Sequence, residues 1–348
     1  MATLDPIALT KQLVNIDSTT YHEGACGEFL AQYLAELGWM IARQPVAQPD
    51  RAKSPGAGDG PRFNVVATHK GIEPVLFFST HFDTVPPFLG PCTEDEHHLY
   101  GRGVCDAKGI LAAQVAAAQR LADEGLPVGM LFVVGEERDS AGAKVANLQA
   151  PATSKFLING EPTENKLALA SKGCLRVELY AHGKAAHSAY PELGESAIDK
   201  LVTALVKIQK LQLPVVEGIG DTTLNIGLLN GGRAPNVIAD KAEAHLLVRL
   251  VGPSELIRTM VIEACEGLCD VEFSLELPFV QMRALEGFET MVAKYTTDIP
   301  SLTHWGEPFL LGPGTIHVAH TPHEVIRKQE LLDCVELYVK LARTLLEA

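Results

Sequence analysis

The sequence predicts an α/β fold in which a mostly parallel sheet carries helices on both faces and a ferredoxin-like α+β domain is inserted. Short, continuous apolar runs alternate with helical patterns in the first half of the chain, which is typical of parallel strands buried on both faces. A strand, helix, strand, strand, helix, strand pattern follows between residues 174 and 277. The 348 residues are many for one hydrophobic core, so we expect two domains.

Two helices and a loop are predicted at the start of the chain. Asp5 and Pro6 have the form of an N-cap followed by proline at the first helical position, and apolar residues then recur at helical spacing. A second helix is predicted over about residues 23–37, ahead of Gly38. The stretch 45–61 is rich in Pro, Gly, Ala and Asp, which predicts a mobile surface loop.

Three apolar runs predict the strands of the parallel sheet. They cover residues 75–78, 130–134 and 155–158, and each is too apolar to be half exposed. Between the first two runs, the alanine-rich stretch 107–124 predicts a helix that ends at Gly125.

The inserted domain has the order of a split βαβ unit. Its predicted strands cover 175–181, 222–229, 242–250 and 271–277, and its helices cover 197–211 and 253–266. After it, helices are predicted over 284–294 and 329–346, with a loop-rich stretch over 298–324. The predicted organisation is a first domain formed by 1–173 and 281–348, with 174–280 inserted.

Bulk properties exclude several functions. A formal net charge of -14, with no run of basic residues, argues against nucleic acid as a partner. No segment reaches the roughly 18 apolar residues of a membrane span, and the first residues carry no secretory pattern, so we expect a cytoplasmic protein. The seven cysteines include no CxxC pair, which favours reduced thiols packed in the core.

Acidic and histidine side chains follow the predicted parallel strands, at the edge where open sheets place their functional crevice. These residues are His81, Asp83, Glu136, Glu137 and Glu161, and Asp106 lies at the same edge in the loop that opens the predicted helix 107–124. Singly, His81 could be a core histidine, Asp106 an N-cap and Glu161 a turn acid. Their coincidence on one edge favours a site for a divalent ion such as zinc, manganese or cobalt.

The adjacent glutamates Glu136 and Glu137 suggest two different chemical roles. One carboxylate can hold a metal while its neighbour takes a proton from an activated water. Strand alternation would point Glu136 and Glu137 to opposite faces, so the chain must break from strand geometry at Gly135. Asp83, two residues after His81, could accept the second ring proton of that histidine and orient it.

Six motifs resemble those of the zinc-dependent M20 peptidase and deacylase family. They cover residues 79–85, 101–109, 135–137, 160–163, 183–188 and 319–322. The resemblance implies a zinc-peptidase-like catalytic domain and two zinc ions, with cobalt or manganese as alternatives. The ligands it implies are His81, Asp106 and Glu161 for one ion, and Glu137, Asp106 and His320 for the other. Asp106 would be the bridge, Asp83 would orient His81, and Glu136 would be the general base and later the acid.

The resemblance also implies residues around the substrate. His187 would stabilise the developing oxyanion, often from the partner subunit, in a homodimer formed through the inserted lid or dimerisation domain. Asn236, Arg249 and Gly314 would contact the substrate. On their own, Asn236 would be a turn residue and Arg249 an exposed residue at a strand end.

The predicted reaction is hydrolysis of the amide bond of a small N-acyl amino acid. The motifs look closest to those of deacetylases for N-acetylornithine or N-acetylcitrulline, which would place the enzyme in arginine biosynthesis. Alternatives in the family are a desuccinylase for succinyl-diaminopimelate, an aminoacylase, a carrier-protein lysine hydrolase and a dipeptidase. The segment 285–312 is short beside the family, which affects the wall of the substrate pocket. A non-catalytic metal-binding scaffold is the alternative of another class, and Glu136 argues against it.

Overall fold

The computed structural model describes residues 4–50, 52, 54, 56–58 and 60–347. Four residues of the predicted loop 45–61, at positions 51, 53, 55 and 59, lie outside that range. The described residues between 46 and 62 form no helix or strand. The loop prediction is therefore confirmed for them.

The chain divides into two compact units. The larger unit consists of Met1–Ala168, Met282–Met291 and Thr297–Ala348, and the inserted unit consists of Leu169–Gln281 and Val292–Thr296. The domain boundaries predicted after residues 173 and 280 stay predictions.

The α-helices of the described residues are α1 (Pro6–Val14), α2 (Gly24–Glu36), α3 (Lys108–Asp123), α4 (Ala141–Asn147), α5 (Ala197–Gln209), α6 (Glu255–Cys265) and α7 (Lys328–Leu346). The first ten strands are β1 (Met40–Pro45), β2 (Phe63–Thr68), β3 (Leu76–His81), β4 (Thr93–Glu94), β5 (His98–Tyr100), β6 (Val128–Val133), β7 (Phe156–Asn159), β8 (Leu167–Ser171), β9 (Gly173–His182) and β10 (Val215–Val216). The remaining strands are β11 (Gly220–Asp221), β12 (Thr223–Gly231), β13 (Lys241–Leu250), β14 (Asp270–Leu277), β15 (Val280–Gln281), β16 (Thr290–Ala293), β17 (Glu307–Leu310) and β18 (Val325–Arg327).

A six-stranded sheet in the order β1-β2-β6-β3-β7-β17 organises the larger unit. The strands β6, β3, β7 and β17 are mutually parallel, as the apolar runs predict. The strands β1 and β2 join antiparallel at one edge. The mostly parallel sheet is thus confirmed, and the carboxyl ends of β6, β3 and β7 lie at one edge of it.

Both faces of this sheet are covered by helices, as predicted. Successive residues of β3 point to opposite faces. Phe78 packs edge-on against Tyr338 of α7, with ring centroids 5.6 Å apart, while Phe77 packs against Trp305 at 4.9 Å. The Phe77 face also buries residues of α4. Each of these fully buried aromatic rings stabilises the fold by about 1.5–3 kcal/mol.

The inserted unit is built around a four-stranded antiparallel sheet in the order β12-β13-β9-β14. Its apolar core joins alternate residues of β9 and β13 to the buried faces of α5 and α6. This is the strand order of the predicted split βαβ unit. The predicted ferredoxin-like domain is therefore confirmed.

The predicted helix over 284–294 is wrong. The described residues there form no helix, and Thr290–Ala293 form β16. Gly287 adopts a φ of +81°, which interrupts a helix. Leu285 and Phe288 instead pack from an irregular segment against the core. Tertiary burial here overrides the local pattern.

The remaining predictions about bulk properties concern thiols and membranes. The seven cysteines are free, and five of them are buried, as expected for core thiols. Among the described residues, no helix is long and apolar enough to cross a membrane.

Candidate metal centre

The carboxyl ends of three parallel strands carry the predicted site residues. His81 is the last residue of β3, Glu136 and Glu137 follow β6, and Glu161 follows β7. Asp106 lies in the loop that precedes α3. Because β6, β3 and β7 are neighbours in the sheet, these loops meet at the edge where open sheets place their functional crevice.

The chain breaks from strand geometry at Gly135, as predicted. Its φ is +82°, and residues 136–139 form a turn. A Cβ at this position would lie 2.8 Å from Nη2 of Arg62, so only glycine fits without a shift. The turn brings Glu137 to the metal-ligand cluster and leaves Glu136 half-buried.

The carboxylate of Asp83 holds this turn. Its Oδ1 accepts hydrogen bonds from the backbone N–H groups of Gly135 at 2.9 Å and Glu136 at 3.1 Å. Its Oδ2 accepts from the N–H of Glu137 at 3.3 Å and from the hydroxyl of Thr20 at 2.8 Å. Burial alone would raise the pKa of the Asp83 carboxyl, but its contacts with the His81 ring and these donors bring that pKa below its ordinary value.

His81 contacts Asp83, the residue predicted to orient it, through both the backbone carbonyl and the carboxylate of Asp83. Nδ1 lies 3.0 Å from the carbonyl oxygen of Asp83 and 3.5 Å from its carboxylate Oδ1. The carboxylate is occupied by the Gly135 turn, so the backbone carbonyl is the acceptor in hydrogen-bond range. Since a carbonyl only accepts, Nδ1 carries the proton and Nε2 is the free ligand atom.

Asp106 lies between two imidazoles. Its Oδ1 is 3.0 Å from Nε2 of His81, and its Oδ2 is 3.4 Å from Nε2 of His320. His320 Nε2 is also 2.9 Å from Oε2 of Glu137, and His81 Nε2 is 3.9 Å from Oε2 of Glu161. The two carboxylate oxygens of Asp106 thus face the two predicted sets of ligands. The Asp106–Ala107 peptide bond is cis.

The donor atoms suit a divalent cation. Ligand atoms of His81, Asp106 and Glu137 lie within 4.8 Å of one another. One carboxylate oxygen of Glu137 and one of Glu161 are buried without a hydrogen-bond partner. Buried polar atoms without partners destabilise a fold, and a bound ion would satisfy these oxygens. Imidazole and carboxylate together form a ligand set for ions such as zinc, cobalt or manganese.

Burial and hydrogen bonding raise the pKa values of several groups in the cluster, which favours their protonated forms. Hydrogen bonds with Asp106 and Glu137 raise the pKa of His320 to about 10. Burial raises the pKa of the Glu136 carboxyl well above its ordinary value, and the nearby Glu161 raises it further. Burial likewise raises the pKa of the Glu161 carboxyl well above its ordinary value. Two or more positive charges in this crevice would replace those protons.

Some residues around the site have no signal in the sequence. Arg62 and Glu23 form a fully buried ion pair at 2.9 Å beneath Gly135, and Thr20 binds Asp83. Asp298 is buried with neither carboxylate oxygen hydrogen-bonded, and burial raises its pKa to about 6. No spacing rule relates these positions to the predicted ligands. A buried Arg or Asp would have to be inferred from the finished fold.

The predicted substrate residues lie in different units. His187, Asn236 and Arg249 belong to the inserted unit, where His187 and Asn236 are exposed and Arg249 lies on β13, paired with Cys174 of β9. The N–H of Ser188 donates to the carbonyl of Asn236, so the loops of His187 and Asn236 are neighbours. Gly314 is buried in the larger unit with a φ of +79°. The roles of these four residues stay predictions.

Comparison with known proteins identifies the family. The model of the peptidase dimerisation domain matches residues 169–272. A probable carboxypeptidase of Aspergillus fumigatus is 37% identical, over 98% of this chain and 87% of its own length. A peptidase M20 domain-containing protein of Schizosaccharomyces pombe is 36% identical, over 96% of this chain and 83% of its own length. The chain belongs to the M20 peptidase family. It is therefore an enzyme, a hydrolase of a metallopeptidase family.

A solved structure supports the same fold for this M20 peptidase. A Bacillus subtilis protein described as a dinuclear metal-binding peptidase of the M20 family superposes with a TM-score of 0.71. The alignment covers 98% of each chain at 18% sequence identity. At that identity the similarity concerns the fold, with its inserted dimerisation domain. The M20 resemblance predicted from the motifs is thus confirmed at the level of the family.

Proposed function

We propose that this M20 peptidase hydrolyses, with two divalent metal ions, the amide bond that precedes a free carboxylate in a short peptide or N-acyl amino acid. One observation carries the proposal: two histidines and three carboxylates converge at the edge of the sheet, and two buried carboxylate oxygens there lack partners. The carboxypeptidase relatives support a substrate with a free carboxyl end.

The metal ligands are those that the motifs imply. His81, Asp106 and Glu161 would hold one ion, and Glu137, Asp106 and His320 would hold the other, with Asp106 contributing to both. When bound, the ions polarise the scissile carbonyl and lower the pKa of the attacking water. Zinc is our first choice for both positions, with cobalt or manganese as alternatives.

Glu136 is the proposed proton shuttle. It takes a proton from the attacking water and then donates it to the nitrogen of the leaving amine. A carboxyl whose pKa is raised by burial suits these steps better than an exposed one, because it holds the proton taken from the water more strongly until the amine leaves. Glu137 lies next to it in the chain, and the turn after Gly135 allows the two residues different roles.

Four further residues are proposed to act on the substrate. His187 donates a hydrogen bond to the oxyanion that forms at the attacked carbonyl. Asn236 and Arg249 bind the substrate carboxylate, and Gly314 lines the pocket in the larger unit. These roles derive from the motif resemblance.

The enzyme is proposed to be a homodimer that forms through the inserted unit. Ile198, Val202 and Val206 form an exposed apolar stripe at a spacing of four residues along α5, and Leu228 and Leu229 are exposed on the edge strand β12. An apolar stripe beside an open sheet edge is a surface that proteins usually cover. Val202→Glu should give a monomer in sedimentation velocity. Ile262→Glu, on the exposed face of α6, is the matched control and should remain dimeric.

A second candidate is deacetylation of N-acetylornithine or N-acetylcitrulline. It is favoured by the sequence around residues 104–106 and 312–314, which looks closest to that of such deacetylases. Its product would supply arginine biosynthesis.

A substrate panel on the purified enzyme tests both candidates, together with its metal content. Dipeptides, N-acetylated basic amino acids, N-succinyl amino acids, other N-acyl amino acids and a carrier protein that bears a terminal lysine are compared by release of free amine. Preference for dipeptides or for other N-acyl amino acids supports the first candidate, and preference for acetylated basic amino acids selects the second, which is a narrower case of the first. Bound metal without turnover of any of these substrates would leave the non-catalytic metal-binding scaffold.

A further inference from the structure

Glu324 lies beside the metal centre without being one of its proposed ligands. It is 2% exposed and follows His320 by four positions. Its Oε1 accepts hydrogen bonds from three backbone N–H groups of the loop before α3: Gly103 at 2.9 Å, Cys105 at 3.0 Å and Asp106 at 3.0 Å. Successive N–H groups that converge on one oxygen form an anion-binding concavity. A carboxylate from the loop of His320 thus fills a cavity made by the loop of Asp106.

Arg102 binds the second carboxylate oxygen of Glu324. Its Nη1 donates to Oε2 of Glu324 at 2.8 Å and to the carbonyl of Thr321 at 3.0 Å. The two side chains are 4% and 1% exposed, so the ion pair is shielded from solvent. The N–H of Gly101 also donates to the backbone carbonyl of Glu324 at 3.2 Å. We call this set of contacts the Arg102–Glu324 clamp.

The clamp matters because the two histidines of the site are supported differently. His81 ends a central strand and is fully buried. His320 lies outside the strands, with a φ of +63° and a side chain that is 52% exposed. Strand pairing fixes His81, but the position of His320 depends on what holds its loop. The clamp joins that loop to the loop of Asp106, the residue that faces both imidazoles.

We propose that Glu324 is a positioning residue that sets the distance between His320 and Asp106 and so determines metal affinity on the His320 side. The inference rests on the proposed function, because it requires an ion bound by Glu137, Asp106 and His320. The ordinary alternative is that Glu324 only stabilises the fold, as a buried ion pair with several hydrogen bonds can.

Measurements of metal affinity distinguish a positioning role of Glu324 from a purely stabilising one. Metal-free enzyme is titrated with Zn²⁺ by calorimetry, and with Co²⁺ by its visible absorption, for the wild type, Glu324→Gln and Arg102→Met. In Glu324→Gln, the amide oxygen still accepts from the backbone, while an NH₂ group replaces the oxygen that faces Arg102. We expect one of the two binding steps to lose affinity by about 10–100-fold, the range for residues that orient ligands. The other step should change little.

Leu345→Ala is the control, since it removes a buried side chain from α7 outside the two loops. It should lower the Tm and keep both binding steps. Two unchanged steps in Glu324→Gln and Arg102→Met, or equal loss of affinity in Leu345→Ala, would overturn the inference while leaving the proposed function intact. A wild-type protein that takes up no metal would overturn the proposed function itself, and the positioning role with it.

Discussion

The carboxylate of Asp83 accepts a hydrogen bond from the backbone N–H of Glu136 at 3.1 Å. The same oxygen accepts from Gly135, and the second oxygen accepts from Glu137. One buried acid on the loop after β3 therefore holds the whole turn after β6. The placement of the proposed base and of its neighbouring ligand depends on a residue that binds neither metal nor substrate.

Asp83→Asn should disturb both functions of the turn. Its amide has one accepting oxygen, so an NH₂ group would face either Gly135 or Glu137 and leave N–H donors unpaired. We expect the free energy of unfolding to fall by about 1–3 kcal/mol and metal affinity to fall by about 10–100-fold. Urea unfolding and metal titration measure these effects. Asp123→Asn, at an exposed position on α3, should change neither.

Glu136→Gln and Glu137→Gln should fail in different ways. Loss of the proposed base should lower kcat by about 10²–10⁴-fold with the metal content unchanged. Glu137→Gln, which removes the proposed ligand, should lower the metal content, and excess metal should restore part of the activity. Atomic absorption after dialysis and steady-state kinetics distinguish the two. Wild-type turnover in Glu136→Gln would refute the base assignment.

Gly135→Ala should destabilise the protein more than Gly125→Ala, although the two glycines have similar φ angles. Gly125 has a φ of +79° and no atom within 4 Å of the place where a Cβ would lie, whereas at Gly135 a Cβ would lie 2.8 Å from Nη2 of Arg62. Gly125→Ala should therefore lower the free energy of unfolding by about 1–2 kcal/mol, the penalty for an alanine in the left-handed backbone conformation. Gly135→Ala should lower the free energy of unfolding by more than this, and it should also lower kcat because the turn at residues 136–139 must shift. Equal unfolding free energies and unchanged turnover in both variants would contradict this.

Metal binding should release a proton from His320. Its pKa is raised from 6.5 to about 10 in the metal-free protein, so the native state holds a proton that the unfolded state loses above pH 6.5. The resulting stability is fully present below pH 6.5 and is lost as pH rises toward 10. A metal ion must displace that proton, so apparent metal affinity should rise with pH across the same window.

Calorimetry in buffers of different ionisation enthalpy measures this release. His320→Ala should release about one proton fewer on metal binding at pH 7.5. His323→Ala, an exposed neighbour in the chain, is the control and should match the wild type. Equal release in all three proteins would show that His320 does not bind the ion.

Much of the site could be predicted because it depends on local patterns. Continuous apolar runs predicted the strands that end near His81 and Glu161, and the rule for open sheets then placed their acids together. The break at Gly135 followed from strand alternation, since neighbouring glutamates cannot otherwise enter one site. The strand β1 was missed because its mostly exposed residues give no apolar run.

The clamp could not be predicted for a different reason. Glu324 accepts from backbone groups, which every residue type offers, and Asp106 lies 218 positions away in the chain. Nothing in the residue types at 103–106 indicates that their N–H groups converge. The predicted helix over 284–294 failed for a related reason, because Gly287 and the burial of Phe288 depend on packing that forms only in the folded unit.

The larger unit is made of chain segments on both sides of the inserted unit, and this sets an order of folding during synthesis. When the ribosome has completed the nearly continuous inserted unit, the edge strand β17 and helix α7 do not yet exist. Until Tyr338 emerges, the face of the sheet that carries Phe78 is packed by α3 but lacks the part of its cover that α7 provides. The nascent chain therefore exposes an apolar surface late in translation, when it is most prone to aggregate and most in need of chaperones. His320, a proposed metal ligand, and Glu324 lie in the last tenth of the chain, so a truncated product that lacks them is expected to carry no activity.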